Sequence, residues 1–336
     1  MDPTWSMPAE WERHEATWLS WPKNPDTFPP EVLPGVEAAY TTMVDALSRG
    51  EKVRVLVDDL NEERRVADVL SGIDNIEFHR FRTADVWVRD YGPIYVRGRG
   101  QALTKWMFNA WGGKYDDLME DSLAGDRIAD SAGLPVFRPG IVLEGGSVEV
   151  NGRGTLMTTE QCLLNPNRNP TLSRAQIEEY LHDFLGGRKI VWLKSGIEGD
   201  DTDGHIDDIA RFVGPYRVAC ATEENAKDPN HGVLAKNRAI LESASDQDGR
   251  KLEVVSLPMP RRADSQFGRL PASYANFYIG NAVVLVPAFG CEQDEEARET
   301  LRREFPGRRI VSIDCRGLVY GLGTLHCVTQ QVPVSE

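Results

Sequence analysis

Hydrophobic positions recur along this chain with two periods. Between residues 31 and 49, Val36, Tyr40, Met43, Val44 and Leu47 fall at spacings of three and four, the stripe of an amphipathic helix. Val53, Val55 and Val57 then alternate, which predicts a strand over 52–57. The same reading predicts a first strand at 17–21 and a short helix at 61–70 capped by Asn61. Strands follow at 76–81, 94–96 and 104–108, then loop and a short helix over 114–132, then extended pieces at 135–137 and 141–143. Asn151-Gly152 is a favoured turn pair and joins 147–150 to 154–159 as a hairpin.

Ser173 caps a helix over 173–184, followed by strands at 189–193, 210–213 and 217–221. The remainder reads as a helix within 224–245 and a strand at 252–257. A hairpin of 275–279 with 282–286 comes next, then a charged helix at 293–305 and a strand at 309–313. Strand-strand-helix-strand sets therefore repeat along the chain with no linker or low-complexity break. We expect one α/β domain over 1–336, built from several similar units. A doubly wound sheet is not expected, because long apolar strands and a glycine-rich loop after the first strand are missing. Polar loops recur at similar points of successive units, so they could converge on one central cavity.

Composition narrows the function classes. Of 336 residues, 41% are hydrophobic, as in ordinary globular proteins. The net charge of -14 comes without any lysine/arginine block, which argues against nucleic acid and anionic membrane as partners. A negative field favours encounter with a cationic small molecule. No apolar run approaches the roughly 18 residues of a membrane span. Met1-Asp2-Pro3-Thr4-Trp5 lacks the basic-then-apolar pattern of a signal peptide. The five cysteines, Cys162, Cys220, Cys291, Cys315 and Cys327, are widely spaced with no CxxC. That fits a reducing cytoplasm rather than a disulfide framework or zinc cluster.

Candidate chemistry centres on Cys327, in the glycine-led run Gly321-Leu322-Gly323-Thr324-Leu325-His326-Cys327. An isolated cysteine is most often a buried small hydrophobe. Three further stretches change that reading: Trp87 to Pro93 with Asp90, Glu144-Gly145-Gly146, and Gly199 to Asp208 with Asp201, Asp203, His205, Asp207 and Asp208. The last is a poor calcium loop, since aligning Gly204 to the invariant glycine puts Gly199 first and Ala210 twelfth. His205 and Asp207 alone are too few for zinc. They share a face on extended chain, which suits an acid/base histidine. His326 neighbours Cys327 and should point away from it. Clustered carboxylates need a cation, and a guanidinium offers them paired N–H donors. Trp87 or Trp111 could cover its face. Such a cation would also favour the cysteine thiolate, whose thiol otherwise titrates near about 8.5.

With these motifs assembled, the chain resembles the agmatine deiminase and bacterial-type peptidylarginine deiminase family, within the guanidine-modifying superfamily. The resemblance rests on Met7 to Glu12, His14 to Trp18, Trp87 to Pro93, Asn109 to Gly113, Glu144 to Gly146, Leu163 to Pro170, Asp203 to Asp208, Ala272 to Tyr278 and His326 to Pro333. It implies a five-unit pseudo-symmetric α/β propeller with a central site and no cofactor or metal. By motif, it implies Cys327 as nucleophile, His205 as proton shuttle, Asp90 and Asp207 as guanidinium ligands, and Glu144 as support. Trp87, Trp111, Asn109 and Gly323 would bind substrate, and Asp201 falls where a carboxylate meets the distal ammonium of agmatine. The implied reaction is agmatine plus water to N-carbamoylputrescine plus ammonia, a step of polyamine synthesis. Peptidyl-arginine, another guanidine, or non-catalytic guanidine binding are the alternatives, and a homo-oligomer is compatible. Three features depart from the family: Gly321-Leu322-Gly323-Thr324 replaces Gly-Gly-Gly-Asn, the segment after Trp111 is short, and Phe28 stands where tryptophan is common.

Overall fold

A computed structural model describes residues 5–266 and 268–335. The first four residues, which bore on targeting, lie outside the described residues. The strands form five sheets of three or four strands and one two-stranded ribbon. In each of the five sheets, a leading strand pairs antiparallel with a second, and the second pairs parallel with a third. The sets are Gln330–Pro333, His14–Ser20 and Lys52–Val57, extended by Ile76–Arg80; Ile94–Arg97, Gln101–Thr104 and Val136–Phe137; Glu149–Val150, Thr155–Thr159 and Lys189–Leu193; Ala210–Gly214, Arg217–Thr222 and Glu253–Pro258; and Tyr278–Ile279, Val283–Ala288 and Arg309–Asp314. The C-terminal strand thus completes the N-terminal sheet. Among the described residues, no strand belongs to two sheets.

Helices cross between the second and third strands, as a parallel pair requires. Leu33–Ser48 buries Val36, Tyr40, Met43, Val44 and Leu47, the stripe expected from its spacing. Arg174–Leu185 starts at a Ser173–Gln176 capping box and stops at Gly186, whose φ of 76° is costly for other residues. The cap of Leu60–Val69 is Asp59, not Asn61: the Asp59 carboxylate accepts from the Asn61 and Glu62 amides at 2.7 and 3.0 Å. The strand expected at 104–108 lies at Gln101–Thr104 instead. Residues beyond it meet 141–143 only through the isolated Met107–Val142 bridge. The strand expected at 275–279 shrinks to Tyr278–Ile279, because the Ser273 hydroxyl caps a tight turn over Tyr274–Asn276. No helix among the described residues is long and apolar enough to cross a membrane.

Candidate active site

A tight turn precedes the leading strand of every sheet. The turns are Val88–Tyr91, Gly145–Ser147, Ile206–Asp208, Tyr274–Asn276, and residues 325–329 before Gln330–Pro333. Each carries or adjoins a polar group: Asp90, Glu144, His205 with Asp207 and Asp208, Asn276, and Cys327. The turns touch in a ring. The Arg89 amide donates to the Cys327 carbonyl at 3.3 Å, and the Gly146 amide to Asp90 Oδ1 at 2.9 Å. Gly145–Ser147 packs on Ile206–Asp208. The Ser273 hydroxyl donates to the Asp208 carbonyl at 2.8 Å, and the His326 amide to the Asn276 carbonyl at 3.1 Å.

Cys327 lines a cavity of about 330 Å³ together with Trp87, Asp90, Trp111, Asp201 and Gly323. Glycine is required at 323, since a Cβ there would sit 2.5 Å from the Trp87 ring. Glu144, His205 and Asp207 lie outside the lining residues, each at most 1% exposed. Asn109 also lies outside them: its side chain accepts from the Gly112 amide at 2.8 Å and holds the turn that carries Trp111. Trp111 adopts φ 54°, and Ala110, Asp203 and Leu322 also take left-handed backbone. Four such strained non-glycine residues at or beside one cavity mark a constrained site.

The electrostatics are dominated by buried acids. Burial, then Asp207 and Glu144, push the Asp90 carboxyl well above its usual range, although Trp111 Nε1 and the Gly146 amide donate to it at 2.9 Å each. Burial also raises Glu144, against the Arg168 guanidinium 2.6 Å away. For Asp207 burial acts upward, but the His326 hydrogen bond and charge prevail and hold it low. Asp208 is raised by burial and by Asp207. The Cys327 thiol is pushed well up by burial and by Asp207, Asp208 and Asp90. His205 is driven down to about 3, chiefly by burial, so its imidazole is neutral near pH 7. Its Nδ1 lies 3.8 Å from Asp90 Oδ1. Asp201 accepts from Tyr115 Oη at 2.6 Å.

Four buried atoms in this cluster have no hydrogen-bond partner: Glu144 Oε2, Asp207 Oδ1 and both His205 ring nitrogens. Buried polar atoms are otherwise almost always paired.

The sequence reading passed over several groups. Asn276 Nδ2 lies 3.1 Å from Cys327 Sγ and 3.1 Å from Asp208 Oδ1, while its Oδ1 accepts from Thr324 Oγ1 at 2.9 Å. Arg168 joins Glu144 to Asp203 (2.7 Å) and the Thr202 carbonyl (2.8 Å). Both residues sit in motifs the resemblance used, Ala272 to Tyr278 and Leu163 to Pro170, so the signal was present without a role attached. Cys162 also approaches this cluster: ligand atoms of Glu144, Cys162 and His205 lie within 4.8 Å of one another. Cys162 has no exposed surface, and burial then Glu144 raise its thiol well above the usual range. A protonated thiol beside a carboxylate already paired with Arg168 is a poor metal donor set.

Residues 6–333 match the family model for Porphyromonas-type peptidyl-arginine deiminase. Agmatine deiminase of Ectopseudomonas mendocina is 39% identical over 355 residues, covering 98% of this chain and 96% of the relative. Among solved structures, agmatine deiminase of Enterococcus faecalis superposes with a TM-score of 0.92 at 34% identity, covering 98% of this chain and 96% of that one. A cysteine-to-serine variant of C. jejuni agmatine deiminase with substrate bound gives 0.88 at 30%, covering 98% and 96%. An amidinotransferase from Microseira wollei, at 14% identity and TM-score 0.55 over 97% of this chain and 96% of that one, shares the fold alone. The fold is that of guanidine-modifying proteins. Within that class, the chain belongs to the Porphyromonas-type peptidyl-arginine deiminase family.

Proposed function

We propose that this chain is a cysteine-dependent hydrolase of a guanidinium substrate, agmatine first among them, working as one catalytic domain over 1–336. The reading is carried by the four unpartnered buried atoms of Glu144, Asp207 and His205 gathered behind Cys327. Carboxylate oxygens arranged so match guanidinium N–H donors. The ring of turns supports a five-unit propeller with its site at the hub. The agmatine deiminase relatives support the substrate, and the carboxylate-rich cavity supports a cation.

In the proposed reaction, the guanidinium sits on Asp90 and Asp207 with Glu144 behind it. Its charge offsets the carboxylates that raise the Cys327 thiol. The thiol proton passes to neutral His205. Cys327 Sγ then attacks the guanidinium carbon, forming C–S. His205 returns the proton to one nitrogen, the C–N bond breaks and ammonia leaves, which yields an amidino-cysteine. His205 next takes a proton from water as its oxygen attacks the same carbon. The C–S bond breaks, His205 returns its proton to the thiolate, the new hydroxyl loses its proton to the released ammonia or solvent, and the neutral carbamoyl product, N-carbamoylputrescine from agmatine, departs. Asp201 stands as the partner of the distal ammonium. The wide cysteine spacing and acidic charge support a cytoplasmic enzyme of small cations, without nucleic-acid or membrane partners, and a homo-oligomer is compatible.

Cys162 is the competing nucleophile, being near Glu144 and His205. Cys327 is preferred because it lines the cavity and Cys162 does not. The test is ammonia release from agmatine, free arginine and a blocked peptidyl-arginine by wild type, Cys327→Ser and Cys162→Ser. Turnover of agmatine that is lost only in Cys327→Ser is expected. Activity surviving in Cys327→Ser would overturn the assignment, and turnover of another guanidine alone would replace the substrate.

A further inference from the structure

His326 and Glu10 lie under the site and take no part in the steps above. His326 Nδ1 is 2.7 Å from Asp207 Oδ2, and His326 Nε2 is 2.9 Å from Glu10 Oε2, all buried. A carboxylate offers acceptors only, and a neutral imidazole carries a donor on one nitrogen only. Both contacts are hydrogen bonds together when the ring bears both protons. Glu10 is itself tied on every side: its oxygens accept from Arg211 Nη2 (2.8 Å), Arg89 Nη2 (3.3 Å) and the Ile279 amide (2.9 Å).

We propose that Glu10 and His326 form a positioning pair that locks Asp207 and keeps a fixed positive charge beneath Cys327. The proposal rests on Cys327 being the nucleophile. With Oδ2 occupied by His326, Asp207 has only Oδ1 free to receive a guanidinium N–H, so the carboxylate is oriented before substrate arrives. The imidazolium also opposes the field of Asp207, Asp208 and Asp90 on the adjacent thiol. The groups facing His326 are the anions Asp207, Glu10 and Glu149 and the cations Arg89 and Arg211. Burial pushes Glu10 upward, but Arg211, His326 and Arg89 together hold it well below the usual carboxylate range. The two histidines then divide the work: His205 is neutral and moves protons, while His326 is charged and holds still. The pair also explains why an N-terminal segment remote in sequence from the other motifs reaches the centre of the molecule.

The test has two readouts on the full-length protein. The first is nitrogen NMR of the wild type labelled at histidine, with His326 assigned by elimination against variants of His14, His79, His182, His205 and His231. Both His326 nitrogens are expected to carry protons at the pH where the enzyme works best, and a neutral ring there would overturn the proposal. The second is the pH dependence of Cys327 alkylation by iodoacetamide, read by peptide mass spectrometry. His326→Gln keeps a hydrogen-bonding side chain but no charge. Its alkylation midpoint is expected about one pH unit higher, with labelling about tenfold slower below it. An unchanged midpoint in a folded His326→Gln protein would sink the charge argument, and the wild-type spectrum decides if that variant does not fold. Activity in Cys327→Ser would remove the nucleophile reading and leave the NMR result standing, so the two failures are distinguishable.

Discussion

Arg168 Nε donates to Glu144 Oε1 over 2.6 Å, and both side chains are fully buried. The guanidinium leaves Glu144 Oε2 free and binds the loop before His205 through Asp203 and Thr202. Removing one partner of a buried ion pair leaves an uncompensated charge and typically costs about 3–5 kcal/mol. Arg168→Met should lose that much in urea denaturation, while the Arg168→Met/Glu144→Met double variant should recover most of it without activity. A single variant as stable as wild type would mean that the pair does not hold the loop.

Gly146 leaves no room for a Cβ among the polar atoms of the site. A Cβ there would lie 2.6 Å from His205 Nδ1, 2.9 Å from Asp90 Oδ1 and 3.0 Å from Asp207 Oδ2. Those three atoms come from the two turns that carry Asp90 and His205 with Asp207, so one methyl group must displace at least one. Gly146→Ala should lower kcat by about 100-fold, the scale of a one-ångström misplacement. Steady-state kinetics beside a thermal melt will separate this from unfolding: kcat near wild type would show that the cluster tolerates the shift.

Substrate capture should depend on pH through Asp90. Its carboxyl is raised by burial, then Asp207 and Glu144, while the Trp111 hydrogen bond opposes that rise. A cationic guanidinium needs the ionised form, so kcat/KM should fall as pH drops through the raised Asp90 value. His205, down at about 3, does not set that limb. Trp111→Phe removes the opposing bond, so the acid limb should move to higher pH. A limb that stays in place or moves down would assign it to another group.

Much of this was legible in sequence where local physics decides. The stripe of Leu33–Ser48, the Ser173 cap and the Asn151-Gly152 hairpin each need only neighbours in the chain. The expected site residues Cys327, Asp90, Trp87, Trp111, Asp201 and Gly323 line one cavity, with Glu144, His205 and Asp207 clustered behind it. What escaped depends on distant partners. Asn276 read as part of a strand, and only the Ser273 cap and its contacts to Asp208 and Cys327 pull it into a turn. Asn109 read as a substrate ligand, yet besides capping the Trp111 turn its amide donates to the distant Asn167 carbonyl at 3.0 Å. Glu10 is separated from His326 by most of the chain, and no spacing rule reaches that far.

Leu322 offers the last test, because it is strained and lines the cavity at once. Its φ is 72°, a conformation glycine adopts freely and leucine does not, at an order-of-magnitude cost of 1–3 kcal/mol. Its side chain is half-buried against the core and forms part of the cavity wall. Glycine at 322 would relieve the strain and lose about 1–2 kcal/mol of apolar burial, so the stability of Leu322→Gly should stay within about 1 kcal/mol of wild type. The widened wall should matter more. An apolar contact of one or two methylenes is worth about 1–3 kcal/mol in discrimination. KM for agmatine should therefore rise about 5-fold, the low end of that range, because the side chain is only half-buried, and guanidines with bulkier amine arms should gain kcat/KM relative to agmatine. Equal changes across all guanidines would show instead that Leu322 acts only through the backbone of the Gly321–Gly323 turn and does not select the substrate.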